Sequence, residues 1–361
     1  MPNWATPDLD RRILELWAAP STPTKGMWQH IRGQIDLPAY VSTAALRMRA
    51  YRLKEDAERG VAFTELPPEQ PDPAPATMRQ PTTPFRLDRP PLAVDVPPSP
   101  ATPTRDRVTA LLYGDSHFPY HDPKTLQIVT EVARRVQPDF LVHMGDLLDC
   151  YDLSRFDKNP KRLTHLQDEV DLARAHLAAM RLVTPGSFCL WLEGNHEDRL
   201  RRCLWNLPEA AKALLDLDVV SHALTWPAIL GTKELGWEFV PYTEQTSRSY
   251  LPHWILKHGT TVRKWSAYTA RSEWEHHARS GSSGHTHRLG AYFHRDYNGV
   301  HAWFETGCTC RLDPEYAQDP NWHPGCLVVT FDRETGAFFT EIVHAYNGRA
   351  MFRGDWLEAT E

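Results

Sequence analysis

The chain has 361 residues, 41% hydrophobic and 24% charged, long enough for about two domains and a sizeable core. A formal net charge of −6 excludes a protein that holds nucleic acid by charge over its whole surface. No apolar run reaches the ~18 residues of a membrane span, so no membrane partner is expected. The start of the chain shows no basic stretch leading into an apolar one, so a cytoplasmic location is expected.

Thr6-Pro7-Asp8 reads as a helix start, a cap followed by Pro in the first turn, and Leu9, Ile13, Leu16 and Trp17 trace one apolar face. Pro20 to Pro23 break the chain, and Trp28, Ile31 and Ile35 predict a second helix. Ser42 caps a third, with Leu46, Ala50 and Leu53 inward and Arg47, Arg49, Arg52 and Lys54 outward. Residues 1–60 are thus expected to form a small all-α domain. Three short helices ending in a basic one resemble helix-turn-helix or Myb-like modules, whose last helix enters the major groove of DNA. The resemblance implies DNA contacts at Ser42, Thr43, Arg47 and Arg49. Nine Lys and Arg against seven Asp and Glu leave this segment only +2. A protein-interaction or oligomerisation role is therefore the competing reading.

Residues 61–106 form the expected linker. Between Pro67 and Pro103 lie 13 of the chain's 30 Pro, a composition that favours extended, poorly packed backbone and a semi-rigid spacer. Residues 107–361 then carry the chemistry.

Four short apolar runs predict buried strands: Val108 to Tyr113, Phe140 to Met144, Phe188 to Leu192 and Trp254 to Leu256. Between them, Leu126, Val129, Val132, Ala133 and Val136 predict one helix, and Leu163, Leu166, Val170, Ala173 and Leu177 a longer one. Strand alternating with helix implies parallel pairing, with ligands gathered beyond the carboxyl ends of the strands. Further on, Cys326 to Phe331 and Phe338 to Val343 predict a hairpin about Glu334-Thr335-Gly336 that completes a second sheet. The Trp- and Leu-rich stretch 203–250 (Trp205, Leu207, Trp226, Trp237) matches no motif and reads as a lid or wall over the site.

Polar motifs sit where the strands end: Asp115-Ser116-His117, Gly145-Asp146, Gly194-Asn195-His196-Glu197, His258-Gly259 and Gly284-His285-Thr286-His287. One such motif among 18 His means little, but five in order are specific. Hard divalent ions favour oxygen donors, and imidazole suits Fe and Zn, so a mixed Asp, Asn and His set accepts Mn²⁺, Mg²⁺, Fe or Zn. Two ions roughly 3.5–4 Å apart would neutralise a phosphate and generate hydroxide near neutral pH, so no protein nucleophile is needed.

On these motifs, residues 108 to 345 resemble the calcineurin-like metallophosphoesterase family. The resemblance implies a sandwich of two mixed β-sheets flanked by helices, an α/β fold, with two divalent metal ions, Mn²⁺ foremost, at one edge. By motif, Asp115, His117 and His287 would bind the first ion, Asn195, His258 and His285 the second, and Asp146 would bridge both. His196 takes the position of the imidazole that protonates or stabilises the leaving oxygen. Phosphoprotein phosphatases of the family carry Arg directly before Gly-Asn-His-Glu, and here that position is Glu193, which argues against that substrate class.

Other residues near the motifs have weaker roles. Asp149 either accepts an N–H from a ligating histidine or caps the following helix. Arg199 is the candidate phosphate contact among Arg199, Arg201 and Arg202, the other two reading as a solvated helix face. Six Cys without a disulfide spacing fit a reducing compartment. Cys308 and Cys310 with Cys326 and His323 could hold zinc, but their spacing matches none of the usual structural sites.

The expected function is hydrolysis of phosphodiester bonds by a metal-bridging hydroxide, on nucleic acid, with the tethered module raising the local concentration of DNA. A nucleotide would bind as substrate, since no P-loop or Rossmann fingerprint is present. Two alternatives are an enzyme acting on small phosphoesters such as cyclic nucleotides, and an inactive DNA-binding or interaction protein on the same fold.

Overall fold

The computed structural model describes residues 7–18, 27–35, 50, 97, 100–103, 105–155, 165–313 and 320–360. The chain divides into two compact units, residues 1–89 and 90–361.

In the first unit, α1 (Pro7–Ala18) and α2 (Met27–Gly33) form where the apolar spacing predicts them. Ile13, Ile31 and Ala50 are fully buried, with Leu9, Leu16 and Ile35 packed against them. The candidate DNA contacts Ser42, Thr43, Arg47 and Arg49 lie outside the described residues, as does most of the expected third helix.

The second unit is built on two mixed sheets. Strands β1 (Arg107–Tyr113), β2 (Phe140–His143), β3 (Phe188–Leu192) and β4 (Trp237–Val240) pair in parallel in that order. Strand β5 (Trp254–Lys257) opens the second sheet, joined by β6 (Ser280–Ser283), β7 (Leu289–Asp296) and β8 (Gly299–Thr306) in the order β5-β6-β8-β7. Within it β5, β6 and β8 run parallel, and β7 is antiparallel to β8.

The two faces of β1 show why the layers form. Val108, Ala110 and Leu112 pack with Trp254, Leu256, Ala302 and Phe304 of the second sheet. Leu111 and Tyr113, pointing the other way, pack with residues of α3 (Pro123–Val136) and α4 (Leu166–Val183). Each face of the strand thus has an apolar cover, at about 25 cal/mol per Å² buried. Helix α3 starts at a Pro because Asp122 caps it, its carboxylate accepting the N–H groups of Lys124 and Thr125 at 3.2 Å.

Two sequence expectations need correction. The C-terminal hairpin, β9 (Gly325–Asp332) and β10 (Phe338–His344), extends the first sheet and not the second, because β9 pairs antiparallel with β1 from Arg107↔Asp332 to Leu112↔Leu327. β9 is consequently a central strand, buried over most of its length.

The stretch 203–250 is not simply a lid. It runs through the end of α5 (Asp198–Trp205), then α6 (Glu209–Leu215), α7 (Asp218–Ala223) and α8 (Trp226–Leu230), and finishes in β4, an integral strand. Trp237 is core, its indole N–H donating to Leu177 O at 3.0 Å, and Trp226 donates to Glu197 O at 2.7 Å. Only Trp205 is largely exposed among the three.

Pro97 and Pro103 of the expected linker touch the second unit. Their carbonyls accept from Arg181 Nε at 3.2 Å and Arg333 Nη2 at 2.9 Å. A small hairpin, β11 (Arg349–Phe352) and β12 (Asp355–Glu358), and helix α9 (Tyr268–His277), packed on β6, β7 and β8, complete the unit. No helix among the described residues is long and apolar enough to cross a membrane.

Candidate metal centre

Every predicted ligand lies just beyond the carboxyl end of a parallel strand. Asp115 and His117 follow β1, Asp146 follows β2, Asn195 follows β3, His258 follows β5, and His285 and His287 follow β6. The turns that present them are strained. Asp115, His117, Asp146, His285 and His287 all have positive φ, between 49° and 69°, a left-handed conformation that costs non-Gly residues energy and persists where surrounding contacts impose it. Here those contacts are backbone ties: Asp115 N to Gly145 O and His117 N to Asp146 O, both 3.0 Å.

The side chains converge in two groups that share Asp146. Asp115, His117, Asp146 and His287 bring one donor atom each within 4.8 Å of one another, and so do Asp146, His258 and His285. Asn195 Oδ1 lies 3.1 Å from His258 Nε2, which is 3.3 Å from Asp146 Oδ2. His117 Nε2 and His287 Nε2 face each other at 3.0 Å. Two nitrogens bound to one ion at ~2.1 Å and a right angle sit about that far apart, so the spacing fits a shared cation.

The tautomers agree with that chemistry. His258 Nδ1–H donates to Met144 O at 2.9 Å, which leaves the Nε2 lone pair aimed into the pocket, as in a ligating histidine. His117 Nδ1 stands 3.4 Å from Asp149 Oδ1 and His287 Nδ1 3.5 Å from Cys310 Sγ. Each of these histidines thus turns one nitrogen inward and the other to a fixed neighbour.

Electrostatics point the same way. Burial opposes ionisation of Asp146, yet His258, His196 and His117 around it hold its pKa well below the usual carboxylate range. Burial also opposes charge on His258, but Asp146 and Asp115 push its pKa up to about 9. Burial lowers His285 to about 4, and lowers His287 too. A fully buried carboxylate with imidazoles arrayed on it attracts positive charge, which protons or cations can supply.

His196 stands at the edge of this pocket. Its Nδ1–H donates to Asp149 O at 2.8 Å, and its Nε2, 3.9 Å from Asp146 Oδ2, accepts from Arg199 Nη2 at 3.0 Å. Arg199 also donates to Asp149 O at 2.6 Å. Asp149 does not cap the helix that follows it, since Cys150 is the N-cap of the short turn Tyr151–Leu153 and His165 that of α4; its carboxylate faces His117 and His196, each at 3.4 Å, and those contacts hold its pKa down despite burial. Arg201 and Arg202 instead bind the buried Asp198 carboxylate through their Nε atoms, at 2.7 and 2.5 Å.

Sequence reasoning gave Glu197 no role, although it stands inside Gly-Asn-His-Glu. Its carboxylate is fully buried and accepts from Gly194 N at 2.7 Å, Asp146 N at 3.1 Å and Leu148 N at 2.9 Å, binding the β2 and β3 loops together. Gly194 is required beside it, since a Cβ there would overlap Asp146 and come 2.7 Å from Glu197 Oε2.

Gln245 clamps another pair of loops, accepting from His258 N at 2.8 Å and donating to Glu193 O at 2.6 Å. The zinc expectation also changes. Cys308 and Cys310 gather with His287, while Cys326 sits in the core between the first sheet and α3, and His323 Nδ1 accepts from Leu289 N at 3.3 Å.

A buried, strained pocket of carboxylates and imidazoles at the strand ends defines a metal-binding hydrolase of phosphoesters. Residues 108–277 match the calcineurin-like phosphoesterase family, and the chain belongs to it. It is 30% identical over 236 residues to the gene 54 protein of Mycobacterium phage L5 and 29% identical to that of phage D29, in each case over 62% of this chain and 88% of the phage protein. Among solved structures it is similar to YfcE, a phosphoesterase from E. coli (12% identity, 64% of this chain, 98% of that one, TM-score 0.30). It is also similar to vacuolar protein sorting 29 from Cryptosporidium parvum (11% identity, 70% and 98%, TM-score 0.31).

Proposed function

We propose that the chain is a dinuclear, Mn²⁺-dependent phosphodiesterase that cleaves nucleic acid. The reading is carried by one observation, the position of Asp146 in both donor groups, which gives two cations a common carboxylate. Asp115, His117, Asp146 and His287 would hold one, and Asp146, Asn195, His258 and His285 the other. Bound there, the pair supplies Lewis acidity toward the phosphoryl oxygens and activates a water.

The protein's own groups do the rest. His196 is the proton donor to the leaving oxygen, a role that requires a proton on Nε2. Burial opposes that proton, Asp146 and Asp149 favour it, and Arg199 opposes it, the net direction being upward. Arg199, whose guanidinium already lies 3.0 Å from Nε2, is placed to move to the phosphate when substrate enters. Asp149, its carboxylate between the two rings, orients His117 and His196 together. Nucleic acid as substrate is supported by the module expected at residues 1–60, of which α1 and α2 are described and which would concentrate a polymer near the site through the tether.

The test is the Mn²⁺-loaded full chain on bis(p-nitrophenyl) phosphate and on an oligonucleotide. Asp146→Asn should abolish turnover of both, and His196→Ala should lower kcat by about 10²–10⁴-fold, the range of a general acid. Unchanged rates in either variant would refute the site; hydrolysis of the small diester alone would refute the nucleic-acid substrate.

A further inference from the structure

The loop from Gly259 to Ala267 leaves the candidate ligand His258 and leads into α9. It is held along its length. Arg263 N donates to Thr269 Oγ1 at 3.0 Å, Ala267 N to Glu305 Oε2 at 2.6 Å, and Ser266 Oγ to Leu289 O. Arg288, the residue after His287, donates through Nη1 to Arg263 O at 2.5 Å. The loop, which begins at the residue after His258, is therefore tied to α9, β7 and β8 and to Arg288, the residue after His287.

What it displays is costly to leave in water. Val262, Trp265 and Tyr268 are 54%, 52% and 59% exposed, a cluster of large apolar groups within seven positions. Arg263 and Lys264 are exposed among them, and Lys264 Nζ sits 4.8 Å over the Trp265 ring. Among the described residues, Arg263, Lys264 and Arg288 make no ion pair, whereas the exposed Arg248, Arg271, Arg349 and Arg353 each bind a Glu. On a chain of net charge −6, a fixed rim of cations with no ion pair among the described residues, interleaved with aromatic faces, is a local feature with its own ligand chemistry.

We propose that this rim, Arg263, Lys264, Trp265, Tyr268 and Arg288, is a subsite for a single-stranded polynucleotide running into the metal centre. The inference rests on the nucleic-acid reading above and narrows it. Cations at this spacing follow phosphates, and open aromatic faces stack on unpaired bases, which a duplex keeps hidden. Because the loop backbone is already held by Thr269, Arg288, Leu289 and Glu305, the stacking faces are presented with less backbone left to order on binding.

The experiment uses the Mn²⁺-loaded full chain, with Trp265→Ala and Lys264→Ala, both exposed positions where folding is checked by thermal melting. kcat/KM is measured on a single-stranded oligodeoxynucleotide, the same sequence as duplex, and bis(p-nitrophenyl) phosphate. Trp265→Ala should lower kcat/KM on the single strand about tenfold, the size of a stacking contact. Lys264→Ala should reduce the salt slope of single-strand binding by about 0.7, one phosphate contact.

Hydrolysis of the small diester should not change in either variant. If the parent chain cleaves the strand and both variants match it, the subsite is wrong while the nucleic-acid reading stands. Equal losses on the small diester, or on duplex and single strand alike, would also overturn the subsite. If the parent hydrolyses the small diester but neither binds nor cleaves the strand, both proposals fall together.

Discussion

Replacing Glu197 tests whether the pocket is held by its backbone ties. The carboxylate accepts three buried N–H groups, from Gly194 and Asp146 on Oε2 and from Leu148 on Oε1. Burial first, and the charge of Asp146 second, lift its pKa from 4.5 to about 7. At 1.36 kcal/mol per pH unit, keeping it ionised above pH 7 costs about 3 kcal/mol.

Glu197→Ala strands all three donors, at roughly 2 kcal/mol each, and relieves that cost, for a net loss of about 3 kcal/mol. Glu197→Gln relieves the same cost but can turn its carbonyl to Gly194 and Asp146 and strand only the Leu148 N–H, so its stability should stay within about 1 kcal/mol of the parent. Urea unfolding of the metal-free chains at pH 8 reads both values, without bound cations to mask the difference. Ala as stable as the parent would show that the three N–H groups find other partners. Gln as damaged as Ala would show that the charge, and not the acceptor geometry, holds the loops.

Two further outcomes follow from groups near the site. Burial lifts Glu169 from 4.5 to about 8, although Cys150 N donates to it at 2.7 Å. An acid whose folded pKa lies above its unfolded one lends stability that is complete below pH 4.5 and is lost as pH rises through 8. Glu169→Gln should therefore gain on the parent by up to about 5 kcal/mol between pH 4 and pH 9; parallel pH profiles in denaturant melts would contradict this. Cys310 is the fixed neighbour of His287 Nδ1, and loss of such a partner typically costs 10–100-fold in metal affinity. Cys310→Ala should weaken Mn²⁺ binding by about that factor in calorimetry, with Cys310→Ser recovering most of it; an Ala variant that binds like the parent would remove Cys310 from the account.

The legible parts of the fold were those where one strand carries its own apolar signal. β1, β2 and β3 read as aliphatic runs because both of their faces are buried. β6 was invisible, since Ser280-Gly281-Ser282-Ser283 has no aliphatic side chain. It is a strand because its neighbours fill the space: Trp254 and Trp303 donate their indole N–H to Ser282 and Ser283 Oγ at 3.1 Å, and a Cβ at Gly281 would come 2.6 Å from Trp303.

The C-terminal hairpin was readable as a pair but not in its sheet. Alternation fixes which strands turn back on each other, while the choice of third partner, β1, is a tertiary contact. The ligands were legible because predicted strand ends and residue types coincide in four places, while the fifth motif, after β6, was carried by its residue types alone. Glu197, Gln245 and Cys310 were not, because their roles exist only once loops distant in sequence touch. The DNA contacts proposed at Ser42, Thr43, Arg47 and Arg49 rest on the sequence alone.

The most direct measurement is the number and position of ions in the Mn²⁺-replete chain, by elemental analysis and by anomalous diffraction at the manganese edge. The account predicts two ions per chain, one among Asp115, His117 and His287 and one among Asn195, His258 and His285, with Asp146 contacting both and Asp146→Asn losing at least one. A single ion, or ions bound away from Asp146, would contradict it.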